Sequence, residues 1–235
     1  MPNIVLIPGA WLGGWVWKKI IPGLEKNGNT VYPITLTGMG ERVHLASRDF
    51  GIETGILDVL HVIEFEDIHD IVMVGHSFAG KVAAAVADRV PERIRMVLYL
   101  DSFWPRKTSE PQGAYNTVEE FGKQPDGSFS IPFYENILNN IGSDVVGQDR
   151  EWMVSKATPW PIRYAEEPIT LSDRFFSLNG SHIFCTKAGD PVDEIIAGKW
   201  GDLSGPYRVM DTGHYPMVTR PEELVENMIS LIGSA

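Results

Sequence analysis

The run Ile71-Val72-Met73-Val74-Gly75-His76-Ser77-Phe78-Ala79-Gly80 decides how this chain is read. Four apolar residues in a row, closed by a glycine, have the pattern of a strand buried on both faces, and the Ala-rich stretch 82–90 that follows reads as a helix. Ser77 then stands on a tight strand-to-helix turn, which needs small residues two positions before and after it and leaves its hydroxyl exposed above the sheet. Gly75 and Ala79 occupy those positions. The plainer alternative is a serine N-cap on an ordinary helix.

Outward from this turn the same rhythm repeats. Residues 4–7, 30–36 and 94–100 read as strands, and 15–26 and 51–65 carry apolar residues at helical spacing. Alternating strands and helices predict an α/β protein with a mostly parallel, doubly wound sheet of about six strands. After Asp101 the rhythm breaks: 103–178 is rich in aromatics, Pro and Gly, with short helical patterns only near 133–141 and 149–156. A stretch that long is expected to be an inserted helical lid. Strands at 182–186 and 207–210 and a helix at 222–232 resume the pattern, so 1–102 and 179–235 form the core and 103–178 the lid of a single structural domain.

The 235 residues suit one large domain, and 43% apolar content supplies its core. A net charge of −11 argues against nucleic acid or anionic lipid as partner. No stretch of about 18 apolar residues is present to span a membrane. Cys185 is the single cysteine and cannot form an internal disulfide; with no signal-peptide pattern at the N-terminus, a cytoplasmic protein is expected. No Cys or His set has metal-ligand spacing and no Gly-x-Gly-x-x-Gly follows a strand, so neither a metal nor a cofactor is expected.

A serine hydroxyl needs a base, and the base an orienting acid. His214, after the last strand, hangs from the same sheet edge as Ser77 and is the candidate base. Asp190, just past the penultimate strand, completes the chain order Ser, Asp, His; Asp193 and Asp101 are the alternatives for the acid. An oxyanion hole is expected from the N–H of Phe78 and that of Ala10 in the Gly-rich exit of the first strand. Candidate substrate contacts are Gly9 and Trp11 at that exit, His44 in a nearby loop, and Trp104, Phe121 and Trp152 in the lid, where Phe129, Phe133 and Trp160 add aromatic surface.

With these residues placed, the chain resembles the α/β-hydrolase superfamily, and more narrowly its small lidded branch of carboxylesterases, methyl esterases and hydroxynitrile lyases. The blocks that carry the likeness are 36–45 (LTGMGERVHL), 75–80 (GHSFAG) and 99–103 (YLDSF). The resemblance implies a Ser77, Asp190, His214 triad and a mostly apolar pocket. The chain departs from the branch at Pro8, where His is common, at Ala79 in place of Gly, and in a longer loop before Asp190. Lyase relatives carry a Thr and a Lys where Gly9 and Tyr215 stand, which favours an esterase acting on small to medium carboxylic esters through an acyl-enzyme. A C–C bond-cleaving enzyme on the same triad and a non-catalytic small-molecule receptor are the alternatives. A monomer or homodimer is expected.

Overall fold

Alternate residues of each central strand are buried on opposite faces of one sheet, which is why these strands read as continuous apolar runs. The computed structural model describes all residues except 109, 126, 200–202, 204 and 235. Six parallel strands form the sheet: β1 (Asn3–Ile7), β2 (Thr30–Pro33), β3 (Ile71–His76), β4 (Ile94–Leu100), β7 (Gly180–Cys185) and β8 (Tyr207–Met210). Their order is β2-β1-β3-β4-β7-β8, so the direction of winding reverses between β1 and β3.

Val5, Ile7, Met73, Val97 and Tyr99 share one apolar cluster with α2 (Ile52–Phe65) and α3 (Ala79–Arg89). Ile4, Leu6, Val72, Val74, Met96 and Leu98 share the other with α1 (Ile21–Lys26) and α10 (Pro221–Ile232). The helix expected over 15–26 is split: a 3-10 turn at Gly14–Lys19 precedes α1, whose second residue is Pro22. Pro has no N–H to continue an earlier helix but fits a first turn, so the break falls there.

Between β4 and β7 the chain makes short pieces: α4 (Thr117–Phe121), α5 (Ile137–Ile141), α6 (Gly147–Lys156) and α7 (Ile162–Glu166), with a two-stranded antiparallel ribbon of β5 (Ser130–Ile131) and β6 (Trp160–Pro161). The ribbon was not legible in sequence, since two-residue strands carry no periodicity. Trp11 joins this segment to the core. Its indole N–H donates to Ile131 O at 3.0 Å, and its ring meets Trp160 and Phe121 edge-on at 5.4 and 5.6 Å. The chain closes with α8 (Val192–Ile196) after β7 and with α9 (Pro216–Thr219) and α10 after β8.

Candidate active site

Ala10, Ser77, Asp101, Asp190 and His214 follow the C-terminal ends of β1, β3, β4, β7 and β8, the edge at which open α/β sheets form their crevices. Ser77 follows β3 with φ +58°, in the left-handed region that side chains avoid. Its N–H donates to Leu100 O at 3.2 Å, which ties the turn to β4. A Cβ on Gly75 would lie 2.7 Å from Ala79 O and 2.8 Å from Gly80 Cα, so no side chain fits there. Ala79 is accommodated because the second close approach falls one residue later: a Cβ on Gly80 would collide with Phe103 O and Ser102 Oγ. The sequence GHSFAG therefore meets the steric demand of the turn with a displaced second glycine.

The carboxylate bonded to His214 is that of Asp101. Its Oδ2 is 2.5 Å from His214 Nδ1, and its Oδ1 accepts the Cys185 N–H at 2.9 Å. Asp101 is only 4% exposed and turns at φ +43°, and its own N–H donates to Ile183 O at 2.7 Å. β4 lies between β3 and β7: on one side Leu100 O accepts the Ser77 N–H, and on the other Asp101 bonds Ile183 and Cys185 of β7, which fixes its carboxylate at the histidine. Asp190, placed on His214 by chain order, instead lines the cavity and makes no hydrogen bond to the ring. Its carboxyl is pushed up, first by desolvation and then by the neighbouring Asp101 charge, with His214 pulling the other way. Asp193 lies one turn further on, in the exposed start of α8.

His76, inside the serine turn, is fully buried and braces the site. The Gly9 N–H donates to its Nδ1 at 3.2 Å, which leaves Nε2–H to donate to His214 O at 2.8 Å. This arrangement requires a neutral ring. Burial, and then the charge of His214, push its pKa well below the ordinary value, although the bond to the His214 carbonyl opposes this. Asp144, from the segment between α5 and α6, accepts from Thr212 Oγ1 at 2.7 Å and from the Gly213 N–H at 2.9 Å, while the His214 N–H donates to Ile141 O at 2.7 Å. Burial acts to raise the Asp144 carboxyl, but these donors outweigh it and hold it below the usual range. The loop bearing His214 is thus set by the segment between β4 and β7. Asp144→Ala is expected to lower kcat about ten-fold with KM little changed, read from initial rates on a chromogenic ester.

Ser77, Phe78, Ala10, Trp11, Phe121 and His214 line one cavity of about 770 Å3. Neither the Ala10 nor the Phe78 N–H has a protein acceptor among the described residues. Gly9 lies behind the wall: a Cβ there would sit 2.8 Å from His76 Nδ1 and 2.9 Å from Ser77 Cβ, so its smallness lets the exit of β1 press against the turn. Three other expected contacts fall outside the lining. His44 is exposed, with Nδ1 3.2 Å from Glu41 O. Trp104 packs edge-on to His182 at 5.5 Å, and Trp152 to Trp15 at 5.0 Å. The two tryptophans found aromatic neighbours elsewhere, a choice that position in the chain does not reveal. Tyr115, Glu120, Asn136 and Asn140, absent from the sequence reading, supply a polar part of the wall.

This parallel sheet, strained serine turn and buried Asp–His pair define an α/β-hydrolase arrangement. The chain belongs to the alpha/beta hydrolase family, whose model matches residues 4–227. It is 31% identical over 241 residues to a carbendazim hydrolyzing esterase of Nocardioides sp. (strain SG-4G), covering 98% of this chain and 100% of that protein. It is 25% identical to methylesterase 9 of Arabidopsis thaliana, covering 98% of each. Among solved structures it is similar to an extracellular alpha/beta-hydrolase from a Paenibacillus species, with a TM-score of 0.83, 22% identity and 98% of each chain covered. A methylesterase from Arabidopsis also has a TM-score of 0.83, with 18% identity and full coverage of both chains.

Proposed function

We propose that this chain hydrolyses small to medium carboxylic esters, with Ser77 as nucleophile, His214 as base, Asp101 as the orienting acid and the N–H groups of Ala10 and Phe78 as the oxyanion hole. The observation that carries the reading is the Asp101–His214 contact in the cavity that also holds the strained Ser77. Ester hydrolysis is supported by the esterase relatives that match the chain over nearly its whole length.

Asp101 accepts from Nδ1–H, so Nε2 is the nitrogen left to take the Ser77 proton as the hydroxyl attacks the ester carbonyl. The tetrahedral oxyanion is met by preorganised N–H groups, one of them at the start of α3 where the helix dipole favours negative charge. Collapse expels the alcohol, which takes the proton back from His214. A water that gives its proton to the same nitrogen then attacks the acyl-enzyme and releases the acid. The residue after His214 is Tyr215, 2% exposed, so that position presents no cation to the cavity as a cyanide-handling lyase would require. We read the segment between β4 and β7 as a lid whose aromatic face receives the apolar part of the ester.

The test is intact-protein mass spectrometry after fluorophosphonate treatment, with hydrolysis of a p-nitrophenyl acyl series by wild type and Ser77→Ala. One adduct, mapped to Ser77, with turnover lost in the variant is the expected result. A wild-type protein that neither labels nor turns over any ester would overturn the reading and favour a ligand-binding role. In either case the described residues include no helix long and apolar enough to cross a membrane.

A further inference from the structure

Lys81 is fully buried on the first turn of α3, four residues after Ser77, in a helix whose other buried residues are glycine, alanines and valines. A charge in such a place needs full compensation. Its Nζ donates to three backbone carbonyls: Gly113 O at 2.9 Å, Ala165 O at 2.8 Å and Glu167 O at 2.9 Å. All three belong to the segment between β4 and β7, and they come from two separate stretches of it. Apart from Lys81 these stretches are joined by few bonds: Gln112 and Ile169 exchange a backbone pair at 2.9 Å, the Tyr115 N–H donates to Ala165 O at 3.1 Å, and Thr117 Oγ1 donates to Glu166 Oε1. The ammonium therefore fills the space between two lid chains with charge-assisted bonds, the stronger kind.

The same Nζ lies 5.5 Å from the centre of the Tyr115 ring, within cation–π range. Tyr115 and Trp160 both line the Ser77 cavity, and each stands close in the chain to a carbonyl that Lys81 holds. Burial pulls the Lys81 pKa from 10.5 to about 7, with the Glu167 carboxylate opposing, so the amine carries its proton in mildly acidic solution.

We propose that Lys81 is a positioning residue for substrate binding: from behind the serine turn its ammonium locks the lid chains that carry Tyr115 and Trp160 into one wall of the cavity, setting the fit of the substrate and not the chemistry at Ser77. The effect on ester kinetics rests on the proposed function; the tie itself does not. Among the described residues Lys81 is the one side chain from outside the two stretches that bonds both, and its loss leaves Gly113 O and Glu167 O unpaired and that end of the wall free to move.

The test is Lys81→Met, which keeps an unbranched stem and removes every donor. Amide exchange over 112–121 and 160–169 is expected to quicken by about ten-fold or more while β3 and α3 stay protected. KM for p-nitrophenyl benzoate should rise about ten-fold, with kcat per fluorophosphonate-titrated site within about two-fold of wild type and p-nitrophenyl acetate least affected. Unchanged exchange and unchanged KM would overturn the proposal, as would a loss of kcat per titrated site at constant KM, or a uniform quickening of exchange across the whole chain. Should wild type hydrolyse no ester while the exchange still responds, the tie stands and the esterase reading falls. Should Lys81→Met not fold, wild-type NMR at pH 6 decides: one lysine ammonium with protons protected from solvent supports the tie, and its absence refutes it.

Discussion

Asp101→Asn is expected to lower kcat by about 10³- to 10⁴-fold, whereas Asp190→Asn should cost less than about ten-fold. An asparagine at 101 keeps an oxygen for the Cys185 N–H but turns an amide N–H₂ toward His214 Nδ1. Nδ1 must then act as acceptor, the ring carries its proton on Nε2, and the nitrogen that should receive the Ser77 proton already holds one. Such a factor corresponds to about 4 to 5.5 kcal/mol of barrier. Asp190 touches neither the ring nor its backbone support, so neutralising it alters only the cavity's electrostatics. Steady-state kinetics on one ester, with sites counted by fluorophosphonate titration, separates the two. The reverse ranking would make Asp190 the orienting acid and confine Asp101 to a structural role.

The second large effect is on stability in acid. His182 lies in β7 with its ring stacked on Tyr99 at 5.2 Å and on Phe184 at 5.6 Å, and burial lowers its pKa from 6.5 to about 4. In the unfolded chain the same imidazole titrates near 6.5. Between these values the unfolded state binds the extra proton, so stability rises with pH across that window and is lost as pH falls from about 6.5 to 4. The integrated loss at pH 4 is roughly 3 kcal/mol from this group. His76, whose pKa is also depressed, adds to it in the same direction. His182→Phe keeps the stacking and removes the proton site. Urea midpoints from pH 7 to 4 should therefore fall less steeply for the variant, at constant m. Parallel curves for the two proteins would mean that His182 is not held neutral.

The six-stranded sheet was legible because its signal is local. The inner strands β1, β3 and β4 are short, largely apolar runs ending in turn residues, and burial on both faces leaves no alternation to confuse. The turn at Ser77 was equally legible, since the steric need for small neighbours is written within six residues. Two properties were not. One is which carboxylate meets His214: Asp101 and Asp190 each follow a strand, and only the lateral order β3-β4-β7 shows that the first is caught between its neighbours beneath the ring. The other is the wall of the cavity, built from segments too short for periodicity and held by side chains such as Trp11, Asp144 and Lys81, whose partners lie from 32 to 120 residues away in the chain. By itself the sequence determined the parallel α/β sheet, the strained serine and the histidine at its edge, because each depends on neighbours in the chain. Only the tertiary structure decided which carboxylate meets His214, the braces and the cavity wall, because hydrogen bonds between distant segments form after the strands have taken their order.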